Sequence, residues 1–218
     1  MLISLQLLAL PLLVLAAPSP VKRQGVAFTR PVSQLDVAGD LGEPLNVIVS
    51  ALSSPAVLTD DGFLNWLQSI NFSTECLGLH IGDPQTANLG DGQGFVDQVK
   101  EYREDFGNDE VGTCLESLTG GDHLRMWRQA TTGALFLAVS QEEDVTQGHT
   151  ISPNGYNLGR LVDTLVSRAT AAAGTSHDGV NYRTTSVDDT TLLAPGSTGI
   201  NHGIAQDGVV KVLTITIV

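Results

Sequence analysis

Apolar residues in this chain follow three patterns, and each predicts an element. Two are continuous runs. Pro44-Leu-Asn-Val-Ile-Val-Ser50 is β-branched without polar alternation, and Ala134–Val139 is uninterrupted apolar; both suit strands covered on two faces. Ahead of the second run, His123, Arg125 and Trp127 alternate with Leu124, Met126 and Arg128, leaving one face more polar. Thr131-Thr132-Gly133 is a compact connection, so the two segments predict an antiparallel hairpin. This stretch, 120–144, is the densest in apolar and aromatic residues, and the chain is organised around it. Further β-like runs are Tyr182–Val187 and Val209–Ile217. In the last, Val209, Leu213, Ile215 and Ile217 share one face and Thr214 and Thr216 the other.

Helical spacing appears three times. Phe63, Leu64, Leu67 and Ile70 follow Thr59, Asp60 and Asp61, which suit a helix start, and this helix is expected to end near Asn71. Phe95, Val99, Tyr102 and Phe106 predict a second helix, with Asp97, Glu101, Glu104 and Asp105 on its other face and Gly107 as its stop. Leu158, Leu161, Val162, Leu165, Val166 and Ala169 predict a third, begun at Asn154 or Asn157 and ended at Gly174. Cys76–Gly94, rich in Gly, Pro and Asn, reads as a long ordered loop. Together these predict one domain, 44–218, of the α+β or α/β class. Its mixed sheet would have about five strands, with about three helices packed on it.

The residues before this domain read as targeting segments. Leu2–Ala16 is an uncharged, leucine-rich run followed by small residues and Pro18, the pattern of a secretory signal over 1–16. Lys22-Arg23 is a dibasic pair that resembles a processing site, giving a propeptide over 17–23 and a lead-in segment over 24–43; the alternative is two exposed basic residues left uncut. No other stretch reaches the roughly 18 apolar residues of a membrane span. The expectation is a secreted, extracellular protein with no membrane anchor.

Composition narrows the partners. The 218 residues carry a formal charge of −13, and removal of Lys22 and Arg23 would make it −15. Such a surface repels phosphate backbones, so nucleic acid is excluded. Cys76 and Cys114 are the only cysteines. In an exported chain they favour one disulfide, worth roughly 4 kcal/mol by loop entropy, and the alternative is two buried thiols. Asn71-Phe72-Ser73 is the sole N-glycosylation sequon.

Candidate chemistry rests on the histidines. His80, His123, His149, His177 and His202 show no HExxH spacing and no Cys/His zinc pattern, and GxSxG is absent. His123, His149 and His202 fall in or beside Gly/Asn-rich loops at expected strand ends. With Asp122, Glu143 or Asp144 they could form a metal site or an acid–base pair; the plainer alternative is loop histidines and hydrogen-bonded strand ends. Gly90-Asp-Gly-Gln-Gly94 lacks the lysine of a phosphate loop, and Asn88 with Asp91 lacks the ligand count of a calcium site. No cofactor is expected, a calcium or zinc ion being the alternative.

Asp122-His-Leu-Arg-Met-Trp127 followed by Ala134-Leu-Phe-Leu-Ala138 resembles the C-terminal domain of LssY-type proteins. Pro44-Leu-Asn-Val47 and Asn157-Leu-Gly-Arg160 fit the same pattern. The blocks Pro84–Gly92, Gly112–Ser117 and Gly199–Asp207 are similar to secreted basidiomycete proteins of that type. The resemblance covers about Pro44 to Ile217. LssY-type domains often place two histidines before the hydrophobic-Arg-hydrophobic-Trp pattern, and here the first is Asp122. The family brings no established activity and so no catalytic residues. The resulting expectation is a monomeric, secreted fungal binding or interaction module for an extracellular ligand, and the alternative is a secreted hydrolase using the histidines and carboxylates above. An enzyme would gather those groups in one concave pocket, whereas a binding module would leave them scattered.

Overall fold

A computed structural model describes residues 26–30, 42–80, 84–159 and 164–218. The expected signal segment, the Lys22-Arg23 site and most of the lead-in lie outside the described residues. In chain order the elements are β1 (Val47–Val49), α1 (Asp60–Gln68), β2 (Phe72–Thr74), β3 (Thr86–Asn88), β4 (Phe95–Asp97), β5 (Lys100–Glu104), α2 (Gly112–Thr119), β6 (Gly121–Arg128), β7 (Leu135–Glu142), α3 (Gly155–Leu158), α4 (Leu165–Ala169), β8 (Thr175–His177), β9 (Val180–Asp189) and β10 (Val210–Ile217).

Eight strands form one mixed sheet in the order β2-β5-β6-β7-β1-β10-β9-β8, and β3 and β4 form a separate two-stranded ribbon. The short run of β1 lies mid-sheet, parallel to β10 and antiparallel to β7, and is buried on both faces because Val47 and Val49 enter one core layer and Ile48 the other. The expected hairpin is present as β6 and β7, with Leu124 opposite Val139 and Trp127 opposite Phe136. One face carries Val47, Val49, Leu124, Met126, Leu137, Val139, Leu213 and Ile215 against Phe63, Trp66 and Leu67 of α1 and Leu165 of α4. The other carries Ile48, Trp127, Phe136 and Ala138 against Ala87 and Leu89 of the ribbon. Each large side chain so buried contributes about 1.5–3 kcal/mol.

Helix α1 forms where its spacing places it. Thr59 Oγ1 accepts from the Gly62 amide at 3.1 Å, and Asp60 and Asp61 sit in the first turn. Gly62 is required there, since a Cβ would meet the Ala56 carbonyl oxygen at 1.9 Å.

The α+β or α/β expectation is overturned: the described chain is mostly β, with eight strands in the main sheet and four short helices. The helix expected over Phe95–Phe106 is β4 and β5. Tyr102 alone of its proposed stripe is buried, while Phe95, Val99 and Phe106 are exposed. The helix expected from Leu158 to Ala169 is instead two pieces. Thr164 is extended at φ −121°, ψ −164° and begins α4 afresh, and Arg160, Leu161 and Val162 lie outside the described residues. The Cys76–Gly94 segment contains the strand β3. The disulfide expectation holds, with Cys76 bonded to Cys114 and no free cysteine among the described residues.

An acidic cleft beside the disulfide

The register of β5, β6 and β7 lines up Arg103, His123 and Ser140 across the sheet, and beside them Glu101, Arg125 and Ala138. Side chains alternate along a strand, so His123 and Arg125 share the face of the buried Trp127. That face therefore passes from an apolar end at Trp127 and Phe136 to a charged end. Charges held this far from water have to be paired. Arg103 contacts Glu101 at 2.8 Å, Glu116 at 3.0 Å and Glu142 at 3.1 Å. Arg125 contacts Glu43 at 2.7 Å and its cross-strand neighbour Glu101 at 3.2 Å.

Helix α2 roofs this network. It starts against the end of β5 because Gly112 permits a contact that a Cβ would close, 1.5 Å from the Asp105 carbonyl oxygen. Glu116 points inward from it and is fully buried. The disulfide pins the turn at Cys76–Gly78 onto the same helix. Between them opens a cleft of about 440 Å³, lined by Glu75, Leu79, Arg103, Ser117, Glu142 and His149. Glu75 also borders a smaller cleft of about 250 Å³ with His80, Gln98, Lys100 and Glu101.

Burial sets the proton affinities. It pushes the Glu142 carboxyl up to about 7 against the pull of Arg103, with Glu116 and Glu101 adding to the rise. It also raises Glu75 and Glu116. For Arg103, burial works downward, but the carboxylates of Glu116, Glu142 and Glu101 outweigh it and hold the guanidinium above its ordinary value. Complete burial, reinforced by Arg125 and Arg103, drives His123 well below the usual imidazole range, so it is neutral.

His123 Nδ1 faces Ser140 Oγ at 2.9 Å and Glu142 Oε1 at 3.3 Å. Nε2 has no hydrogen-bond partner among the described residues. A serine–histidine–acid nucleophile needs the hydroxyl and the acid on opposite ring nitrogens. Here both address the same one, and Ser140 is buried.

The other expected site residues are dispersed. His149 reaches the cleft, with Nδ1 3.9 Å from Glu142 Oε2. Asp122 is one residue from His123 and so lies on the opposite face of β6, where its amide donates to Glu104 Oε2 at 3.2 Å. There burial pushes its carboxyl up to about 8, and the Glu104 carboxylate adds to the rise. His202 is exposed in a separate turn with φ 58°. Glu143 follows the end of β7, half-buried, with its amide bonded to Thr150 O at 2.9 Å; Glu142, one residue earlier, occupies the cleft. Asn88 and Asp91 turn side-chain oxygens to the amides of Gly90 and Ala130. Asn71 is exposed at φ 66°, between α1 and β2.

One group combines ligand types suited to a divalent cation. Glu75, His80 and Glu101 each offer a donor atom within 4.8 Å of the others. His80 Nδ1 is 2.9 Å from Glu75 Oε2, while the Glu101 oxygens already face Arg103 and Arg125. Sequence reading missed Arg103, Glu75, Glu116 and Glu142. For Glu142 the signal was strand parity: counting by twos from Ser140 leads to it and not to Glu143. No family model matches the chain, and no curated protein or solved structure matches it.

Proposed function

We propose that this chain is an extracellular binding module whose cleft beside the disulfide receives a positively charged group. One observation supports this reading: among the described residues, the carboxyl groups of Glu43, Glu75, Glu101, Glu116 and Glu142 gather around the guanidiniums of Arg103 and Arg125. The surplus negative charge faces a cleft that opens to solvent. An ammonium or guanidinium placed over Glu142 favours its ionised form, so binding releases a proton and tightens as pH rises through about 7. Calorimetry with Nα-acetylarginine amide and its neutral citrulline counterpart tests this. The arginine compound is expected to bind at least about tenfold tighter, with proton release and with affinity weakened by Glu142→Gln. Equal affinity for the two compounds would remove the proposal.

A second reading has its own support. A carboxyl group raised to about 7 and lining an open cleft, with an imidazole 3.9 Å away, has the properties of a general acid or base in a hydrolase. Chromogenic ester, glycoside and phosphate substrates separate the two. Turnover abolished by Glu142→Gln favours the hydrolase, and no turnover together with arginine-amide binding favours the module.

A further inference from the structure

Helix α2 is folded with its apolar side outward. Thr113 and Glu116 face the protein, whereas Leu115 and Leu118 face solvent, Leu118 being 61% exposed. Surface helices ordinarily do the reverse. The inward polar side is explained by Glu116, which completes the Arg103 network. Among the described residues, the outward leucines meet no such need.

They also have company. The disulfide ties α2 to the turn at Cys76–Gly78, where Leu77 is 78% exposed and held at φ 53°. Leu79, exposed as well, lines the larger cleft together with Ser117 of α2. The disulfide thus has exposed leucines on both sides, Leu115 and Leu118 on α2 and Leu77 and Leu79 on the turn, an aliphatic band beside the cleft that Leu79 lines with the Glu75 and Glu142 carboxyls. Adjoining exposed apolar groups of this kind mark interaction surfaces.

We infer that the band and the cleft form one docking surface for an aliphatic, basic segment of another protein. Its leucine-like side chains cover Leu115, Leu118, Leu77 and Leu79, and a lysine or arginine enters the cleft. This rests on the acidic-cleft reading and adds the kind of partner. Charge selects the occupant. At −13 the chain repels acidic partners and anionic lipid surfaces. A second copy placed symmetrically on this face would bring carboxylates against carboxylates.

Fluorescence anisotropy with three labelled dodecapeptides tests the inference, using leucine alternating with lysine, leucine alternating with glutamate, and serine alternating with lysine. The Leu/Lys peptide is expected to bind at least about tenfold tighter than either of the others. Joint Leu115→Ser and Leu118→Ser substitution should cost about tenfold for that peptide, with arginine-amide affinity and the melting temperature unchanged because both side chains are exposed. If the Ser/Lys peptide binds as well as the Leu/Lys peptide, the aliphatic band is idle and the inference falls while the acidic cleft stands. If neither lysine peptide nor arginine amide binds, both fall. A dimer in sedimentation equilibrium that the double substitution dissolves, or binding to phosphatidylcholine vesicles that it abolishes, would assign the surface to another occupant and overturn the inference.

Discussion

At the scale of single residues, Arg103 holds three carboxylates at once. Arg103→Ala would leave Glu101, Glu116 and Glu142 buried without their shared partner. The expected loss is about 3–5 kcal/mol in urea unfolding at pH 7.5, and less at pH 5, where the freed carboxyls can take up protons. Lysine is not expected to restore stability, since one ammonium cannot reproduce the guanidinium fork. Asp122 gives a prediction of opposite character. Its folded-state affinity for a proton, raised to about 8, exceeds that of the unfolded chain, so the folded form holds the extra proton between about pH 4 and 8. This stability is fully present below about pH 4 and is lost as pH rises through about 8, at roughly 1 kcal/mol per pH unit. Asp122→Asn should flatten the fall between pH 6 and 8 in paired urea titrations; an unchanged slope would assign the proton elsewhere. The loop or strand-end placement expected for His123 differs from the structure, where it lies within β6 and is fully buried, while His149 follows the turn after β7. The carboxylate beside both is Glu142 and not the expected Glu143, a difference that strand parity counted from Ser140 carries.

At the scale of elements, legibility followed what each one buries. Strand β1, helix α1 and the β6–β7 hairpin bury apolar side chains with unmixed periodicity, and all were read from sequence. Strand β5 was not. Its alternating set on one face is Glu101 and Arg103, charged residues buried by pairing, so the apolar signal left was a false helical stripe. Helix α2 escaped notice for the converse reason, its apolar residues being the exposed ones. The disulfide pins the 76–79 turn to α2. Cys76→Ser with Cys114→Ser is expected to cost about 2–4 kcal/mol. Hydrogen exchange should then show lost protection in α2 and the 76–79 turn while β1 and β7 keep theirs. At the helix entrance, Thr59→Ala should cost about 1 kcal/mol, read from the denaturation midpoint, through the lost bond to the Gly62 amide.

At the scale of the molecule, one sheet serves two purposes. Its α1 face is an apolar core built on Trp66, Phe63 and Tyr102, with ring centroids 5.5 and 5.7 Å apart along that series from Phe63. Its other face is apolar toward the β3–β4 ribbon and ionic toward α2. This grading places the cleft at an edge of the core, on strands held by the mid-sheet β1 and β7, while its outer walls come from the disulfide turn and α2. The expectation that the histidines either converge or scatter was too simple: His123 and His149 meet at Glu142, and His202 lies apart. Amide chemical-shift mapping of the ¹⁵N-labelled protein during titration with Nα-acetylarginine amide tests the acidic-cleft reading most directly. Shifts confined to Glu75, Leu79, Ser117, Glu142, His149 and their neighbours, weakened by 0.5 M salt and by Glu142→Gln, are expected. Shifts spread over the acidic surface at large, or the same residues responding equally to acetate, would contradict it.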